Sequence, residues 1–265
     1  MPFVQLNDII LYYETYGNGP PLMLVAGLAS DSQSWQPILP ELANNYTVIV
    51  PDNRGVGRTE PQDIGLSMEL MAGDCLALAQ HLGLDKINLL GHSMGGQIAM
   101  EMAIRYPQSV DKLVLAATCS KNPERNNLLF NDWAVSLENG MDSRPWFREL
   151  FYWIFSRKFF ENEIAVETAV EFAINYPWPQ EAAGFRNQVE AIKSFDCTNK
   201  LSGIRSKTLV VSGEYDILIP PEISKAMAGE IPDAAFSIIN DAAHSIHMEQ
   251  GERFIDCVLR FLLTE

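Results

Sequence analysis

The hexapeptide Gly91-His92-Ser93-Met94-Gly95-Gly96 follows directly on the apolar run Ile87-Asn88-Leu89-Leu90 and precedes Gln97-Ile98-Ala99-Met100-Glu101-Met102-Ala103. The short apolar run reads as a buried strand and the stretch after the glycines as a helix. A very sharp turn must join them, with Ser93 at its corner. Gly91 and Gly95, two positions to either side, carry no Cβ, so strand and helix can pass close together. The serine hydroxyl is lifted clear of the sheet. The new helix aims its unpaired N–H groups and positive dipole end at whatever charge develops beside that oxygen. This is the geometry of a nucleophile elbow. The bland alternative is a glycine-rich strand-to-helix turn without chemistry, and the partners found downstream argue against it.

The elbow sits in a regular rhythm. Val4-Gln5-Leu6 and Ile9 to Thr15 flank the turn-forming pair Asn7-Asp8 and predict an opening β-hairpin. Further short runs recur at Leu22–Val25, Tyr46–Val50, Ile87–Leu90, Leu113–Ala116, Thr208–Val211 and Ala235–Ile239. Their continuous apolarity is what strands covered on both faces require. Helical patterns lie between most of them, clearest over Ser67–His81, Met94–Tyr106 and Glu222–Glu230, and a last helix is expected over Glu252–Leu263. The alternation predicts an α/β fold, with a mostly parallel, doubly wound eight-stranded sheet.

One segment breaks the rhythm. Residues 121–198 contain no convincing strand but hold four of the five tryptophans (Trp133, Trp146, Trp153, Trp178) and the run Phe151-Tyr152-Trp153-Ile154-Phe155. This predicts an inserted helical cap over 121–198, on a core formed by 1–120 and 199–265. Most of the aromatics are expected to build the cap's own core and attach it to the sheet. The remainder are expected to line an apolar pocket above Ser93.

Composition narrows the function classes. Basic residues number 19 against 34 acidic ones, a formal charge of -15, which argues against nucleic acid as a partner. The four cysteines (Cys75, Cys119, Cys197, Cys257) are far apart and show no metal-ligand spacing, so free thiols in a reducing compartment are expected. The opening residues lack a basic and apolar signal, and no apolar run is long enough to span a bilayer. The expectation is a cytoplasmic monomer or homodimer that acts on a small molecule.

A serine hydroxyl needs a base to take its proton. Among four histidines, His244 is the leading candidate, because the loop Asn240-Asp241-Ala242-Ala243-His244 follows a strand and reaches the same sheet edge as Ser93. His247 is the rival. His92 is fixed beside the nucleophile with its side chain directed elsewhere, and His81 ends a distant helix. The base needs a carboxylate to hold its tautomer. Asp216, just past the strand ending at Val211, suits that role; Glu214 is its nearest rival and Asp241 a weaker one. Two backbone donors are expected to form an oxyanion hole: the N–H of Met94, and an N–H from Ala26-Gly27-Leu28, most naturally that of Leu28, with Gly27 letting the loop approach. Arg54 is expected to tie down its own glycine-rich turn. The cap cations Arg125, Arg144, Arg148, Arg157, Lys158 and Arg186 could clamp a substrate carboxylate, but solvated cap surface is the simpler role for each.

The order Ser93, Asp216, His244 is that of the α/β-hydrolase triad, and the chain resembles that superfamily over nearly its whole length. Ala26 to Trp35 is similar to the family's oxyanion loop, and Asp52 to Thr59 to its D-x-R-G-x-G turn. Gly91 to Gly96 is similar to its elbow, Gly213 to Pro220 to its acid loop, and Ala243 to Glu249 to its histidine loop. Two positions depart from it: Ala26 where many members have His, and Ala243 where Gly commonly precedes the histidine. The opening segment and S-M-G-G elbow resemble the 3-oxoadipate enol-lactonase group. The Gly27-Leu28 loop and Asn187–Phe195 are similar to an aminoacrylate hydrolase of pyrimidine breakdown. The resemblance implies a serine hydrolase without a cofactor, cleaving a small ester or lactone. The same triad could instead hydrolyse a C–C bond of a diketone-type substrate, or support cofactor-free peroxidase or dioxygenase chemistry. A ligand receptor on a hydrolase scaffold is the alternative of another class.

Overall fold

The computed structural model describes residues 2–6 and 8–264. Its strands are β1 (Phe3–Leu6), β2 (Ile9–Tyr16), β3 (Pro21–Val25), β4 (Thr47–Pro51), β5 (Ile87–His92), β6 (Val110–Ala116), β7 (Lys207–Gly213) and β8 (Ala235–Ile239). They form one eight-stranded sheet in the order β1-β2-β4-β3-β5-β6-β7-β8. The β1–β2 and β2–β4 pairings are antiparallel and all others are parallel. The strand order reverses at β3, so the loops leaving β3 and β5 meet at the carboxyl edge, where α/β sheets hold their ligands.

Alternation along each central strand feeds two cores. Leu22, Leu24, Val48, Val50, Leu90 and Val114 face one side, under Trp35, Phe254 and Val258. Met23, Val25, Ile49, Leu89 and Leu113 face the other, against Met71, Leu78, Ile98 and Met102. Both faces are covered, which is why these strands read as unbroken apolar runs. In β1 and the start of β2, Val4, Leu6, Ile9 and Leu11 are buried while Phe3 and Ile10 are exposed, the alternation of a one-sided edge.

The flanking helices are α1 (Leu39–Ala43), α2 (Met68–His81), α3 (Met94–Arg105), α9 (Pro221–Glu230), α10 (Ile246–Glu249) and α11 (Gly251–Leu263). Between β6 and β7 run α4 (Glu124–Glu138), α5 (Ser143–Ile154), α6 (Arg157–Phe160), α7 (Glu163–Ile174) and α8 (Ala182–Ser194), with no named strand among them. Trp133 and Trp146 anchor this segment: Phe130 stacks on Trp133, and the Trp146 indole N–H donates to the Trp133 carbonyl at 3.1 Å. Polar side chains fasten it to the sheet. Gln188 Nε2 donates to the Arg54 carbonyl at 2.7 Å, and Asn126 Nδ2 to that of Leu218 at 2.7 Å.

Element ends differ from the sequence reading in a consistent way. β5 continues past Leu90 to His92 because Gly91 and His92 still pair with Leu115 and Ala116 of β6. The ladder outlasts the apolar run. His247 lies in the separate short helix α10, ahead of the last long one. Of the expected turn pair Asn7-Asp8, Asn7 lies outside the described residues. Arg54 is buried and paired with Asp74 and with Asp8, so it pins the turn between β4 and α2. The four cysteines are unpaired, three buried and Cys257 half-buried. Among the described residues no helix is long and apolar enough to cross a membrane.

Candidate active site

Ser93 is the N-cap of α3, at φ 54° and ψ -119°, a left-handed conformation that costs energy for a side-chain-bearing residue. Its surroundings hold it there. The Ser93 N–H donates to the Ala116 carbonyl at 2.9 Å, and the Thr118 hydroxyl donates to the Ser93 carbonyl at 2.7 Å. The flanking glycines are required by contact. A Cβ on Gly95 would lie 2.0 Å from the Val25 carbonyl oxygen, and one on Gly91 2.2 Å from that of Gly95.

The loops leaving β7 and β8 bring the other groups to the same edge. Asp216 is buried, and its Oδ1 accepts the N–H groups of Leu218 at 2.9 Å and Ile219 at 2.8 Å. Its Oδ2 accepts from His244 Nδ1 at 2.8 Å. The carboxylate makes Nδ1 the protonated ring nitrogen, which leaves Nε2 as the acceptor toward Ser93 Oγ at 2.9 Å. The rivals sit elsewhere. Glu214 accepts the Asp241 N–H at 3.0 Å, Asp241 pairs with Arg253, and His81 ends α2 beside Tyr13. His247 is buried under the site, its ring 4.7 Å from that of Trp35 and 4.8 Å from that of His92. Burial, reinforced by the neighbouring imidazoles, holds His92 well below the usual histidine range and lowers His247 to about 3. Both rings therefore stay neutral at ordinary pH.

The loop after β3 runs alongside the serine. A Cβ on Gly27 would lie 3.1 Å from Ser93 Cβ, and Asn53 Nδ2 fixes the preceding turn by donating to the Ala26 carbonyl at 2.9 Å. Met94 opens α3, so its N–H has no acceptor within the helix. Ala26 and Ala243, the two departures from the family pattern, both avoid positive φ, so neither is strained by its Cβ. Glu249 supports the histidine loop: Oε2 accepts the Ala243 N–H at 2.7 Å and Oε1 the Ser156 N–H at 2.9 Å. It thereby joins that loop to the helical segment.

A recess opens beside Ser93, lined by Met94, Gln97, Cys119, Asn122, Phe130 and Leu218 among others, with room for about one water-sized group. Phe130 is its one aromatic; the tryptophans are occupied elsewhere, Trp133 and Trp146 in packing, Trp153 beneath Arg125 and Trp178 against Arg58. The aromatics of residues 121–198 thus contribute less to this lining than their number suggests. None of the cations named in residues 121–198 lines the recess. Arg144 and Arg148 pair with Glu167, Arg186 with Glu138, and Arg157 with Glu161. Lys158 is exposed. Arg125 donates to the Ile217 and Leu218 carbonyls. Sequence reading did not single out Asn53, Thr118, Gln97 or Glu249. Asn53, Gln97 and Glu249 fall in segments already marked, the Asp52–Thr59 turn, the helix after the elbow and the end of the histidine loop; Thr118 does not.

The fold and the site geometry define an α/β hydrolase, and sequence comparison agrees: residues 20–250 match the alpha/beta hydrolase fold family, to which this chain belongs. A protein of Rhizobium rhizogenes, provisionally named as the carbamate hydrolase RutD, is 29% identical over 95% of this chain and 97% of its own length. The crystal structure of the enol-lactonase from Burkholderia xenovorans LB400 is similar at a TM-score of 0.89 and 25% identity, covering 99% of this chain and 100% of that one. A malate-bound thermophilic esterase from Thermogutta terrifontis is similar at a TM-score of 0.85 and 30% identity, over 96% of this chain and 93% of that one.

Proposed function

We propose that this chain is a serine hydrolase that cleaves a small carboxylic ester or lactone through an acyl-enzyme. The observation that carries the reading is the continuous array Ser93 Oγ–His244 Nε2–His244 Nδ1–Asp216, with links of 2.9 and 2.8 Å. Names among the relatives (carbamate hydrolase, enol-lactonase, esterase) all describe acyl transfer to water at a carbonyl that bears a heteroatom, and they support the same reaction class.

In this mechanism Ser93 Oγ attacks the substrate carbonyl carbon while His244 Nε2 takes its proton. The carbonyl becomes an oxyanion, held by the N–H groups of Met94 and Leu28. Asp216 keeps the ring in the productive tautomer and stabilises the imidazolium. The C–O bond to the alcohol then breaks, and the alcohol leaves with the proton from Nε2. Water enters, gives its proton to Nε2 and attacks the ester of Ser93. Collapse releases the acid and restores the Ser93 hydroxyl. The helical segment between β6 and β7 serves as a cap that excludes bulk water from these steps.

The test is turnover of phenyl acetate by the wild type and by Ser93→Ala. The variant is expected to lose on the order of 10⁶ in kcat, as when a triad acting as one unit is broken. Normal ester hydrolysis by Ser93→Ala refutes the assignment. Stoichiometric ligand binding with no turnover of any ester refutes the enzyme reading and favours a receptor.

A further inference from the structure

We propose that Gln97 selects the acyl half of the substrate by accepting a hydrogen bond from it, so that the favoured acyl group is small, uncharged and carries an O–H or N–H. This rests on the ester or lactone reading above and narrows its substrate class.

Gln97 lies in the first turn of α3, where its N–H donates to the Ser93 carbonyl at 3.3 Å. The residue is only 3% exposed, yet it is poorly paired. Its Nε2 meets one acceptor, the Cys119 sulfur at 3.9 Å, and its Oε1 is a buried oxygen with no partner. A buried carboxamide left unpaired is destabilising, and leucine at this position would remove the cost at similar volume. With the thiol as acceptor for Nε2, the free end is the carbonyl oxygen, which requires a donor.

The position of the recess says which part of the substrate supplies that donor. Ser93, Met94 and Gln97 line it, but His244 does not. The leaving alcohol must take its proton from His244 Nε2, so it departs on the other side of the reacting carbon. The recess therefore receives the acyl group. Two of its other polar groups are committed within the protein: the Thr118 hydroxyl donates to the Ser93 carbonyl at 2.7 Å, and Asn122 Nδ2 to Asn127 Oδ1 at 2.7 Å. No charged side chain lines it. A carboxylate placed there would be desolvated beside a carbonyl oxygen with no cation to offset it. A plain alkyl group would leave Oε1 unpaired.

Phenyl glycolate and phenyl propionate test this, because their acyl groups differ only by O–H in place of CH₃. Phenyl acetate serves as the common reference, and phenyl hydrogen malonate as the charged case. Wild type is expected to favour glycolate over propionate in kcat/KM by about three- to tenfold, the range of one hydrogen bond, and to discriminate against the malonate. Gln97→Leu is expected to reverse the preference for glycolate over propionate, each rate read relative to phenyl acetate in the same variant, with an equal or higher Tm. Gln97→Met, unbranched and of similar length, provides the same comparison should the leucine variant fold poorly. A wild-type preference for propionate, good turnover of the malonate, or a glycolate-to-propionate ratio unchanged in the variants overturns the inference. So does turnover of phenyl acetate with neither of the paired esters. Loss of phenyl acetate hydrolysis in wild type, or its survival in Ser93→Ala, instead overturns the proposed function itself.

Discussion

His92 Nε2 donates to the backbone carbonyl of His244 at 2.8 Å, so the residue before the nucleophile holds the main chain of the histidine that meets the nucleophile. The elbow and the histidine loop are thus joined twice, once through backbone and once through Ser93 Oγ. The neutral His92 ring has the right form to do this, as a single-proton donor locked in place by burial.

Replacing His92 by Leu removes that donor and leaves the His244 carbonyl unpaired, a change worth about 1–3 kcal/mol. Because His92 does not line the recess, kcat is expected to fall about tenfold with KM little altered, and Gln at this position to restore part of the rate. Steady-state kinetics with phenyl acetate provide the check. An unchanged kcat in the leucine variant contradicts the positioning role.

Asp216→Asn keeps the shape of the acid loop but exchanges an acceptor for a donor at His244 Nδ1. The ring then presents the wrong tautomer to Ser93, and kcat is expected to fall by roughly 10⁴, the size of effect known for such a change in a triad. Circular dichroism should show an intact fold. Near-normal turnover would assign the supporting acid elsewhere.

His247 and His92 give the protein an acid-side instability. Each has a folded pKa depressed below the ordinary histidine value of 6.5, His247 to about 3. Above 6.5 both states are neutral and neither residue affects stability. As pH falls below 6.5, the unfolded chain takes up protons that the folded chain refuses, so stability declines down to the folded pKa. Each histidine contributes a slope of about 1.4 kcal/mol per pH unit. His247→Leu should remove one proton from this slope between pH 6 and 4, measured by denaturant unfolding at each pH. An identical pH profile in that variant contradicts the assignment.

Arg54 is buried, with Asp74 buried beside it and Asp8 half-exposed at its outer face. Arg54→Met leaves the Asp74 carboxylate without its cation, and a loss of about 3–5 kcal/mol is expected. Combining it with Asp74→Leu should recover much of that loss, since the pair is then replaced by apolar contacts. The recovery, read from urea denaturation midpoints, checks that Arg54 and Asp74 act as a structural ion pair.

The sheet was legible because its signal is local. Runs such as Leu22–Val25 and Thr208–Val211 are apolar on both faces only where a sheet is covered on both sides, so the class follows from composition and period. The limits of β5 and β6 were less legible: Gly91, His92, Val110 and Lys112 are held by pairing partners far away in sequence. The aromatics of residues 121–198 announced a helical segment but not its partners. Phe130 lines the recess while Trp133, one helical turn along, packs inside.

Local pattern alone determined the order of elements, the sharp turn at Ser93, and the succession of serine, acid and histidine, since each is written within a few consecutive residues. Only tertiary structure decided that the ring at 244 meets Ser93 while those at 92 and 247 are sealed beneath it, and that the amide of Gln97 is left half-paired. Those outcomes depend on where three loops from separate parallel strands converge, and burial and hydrogen-bond partners exist only once the strands are side by side.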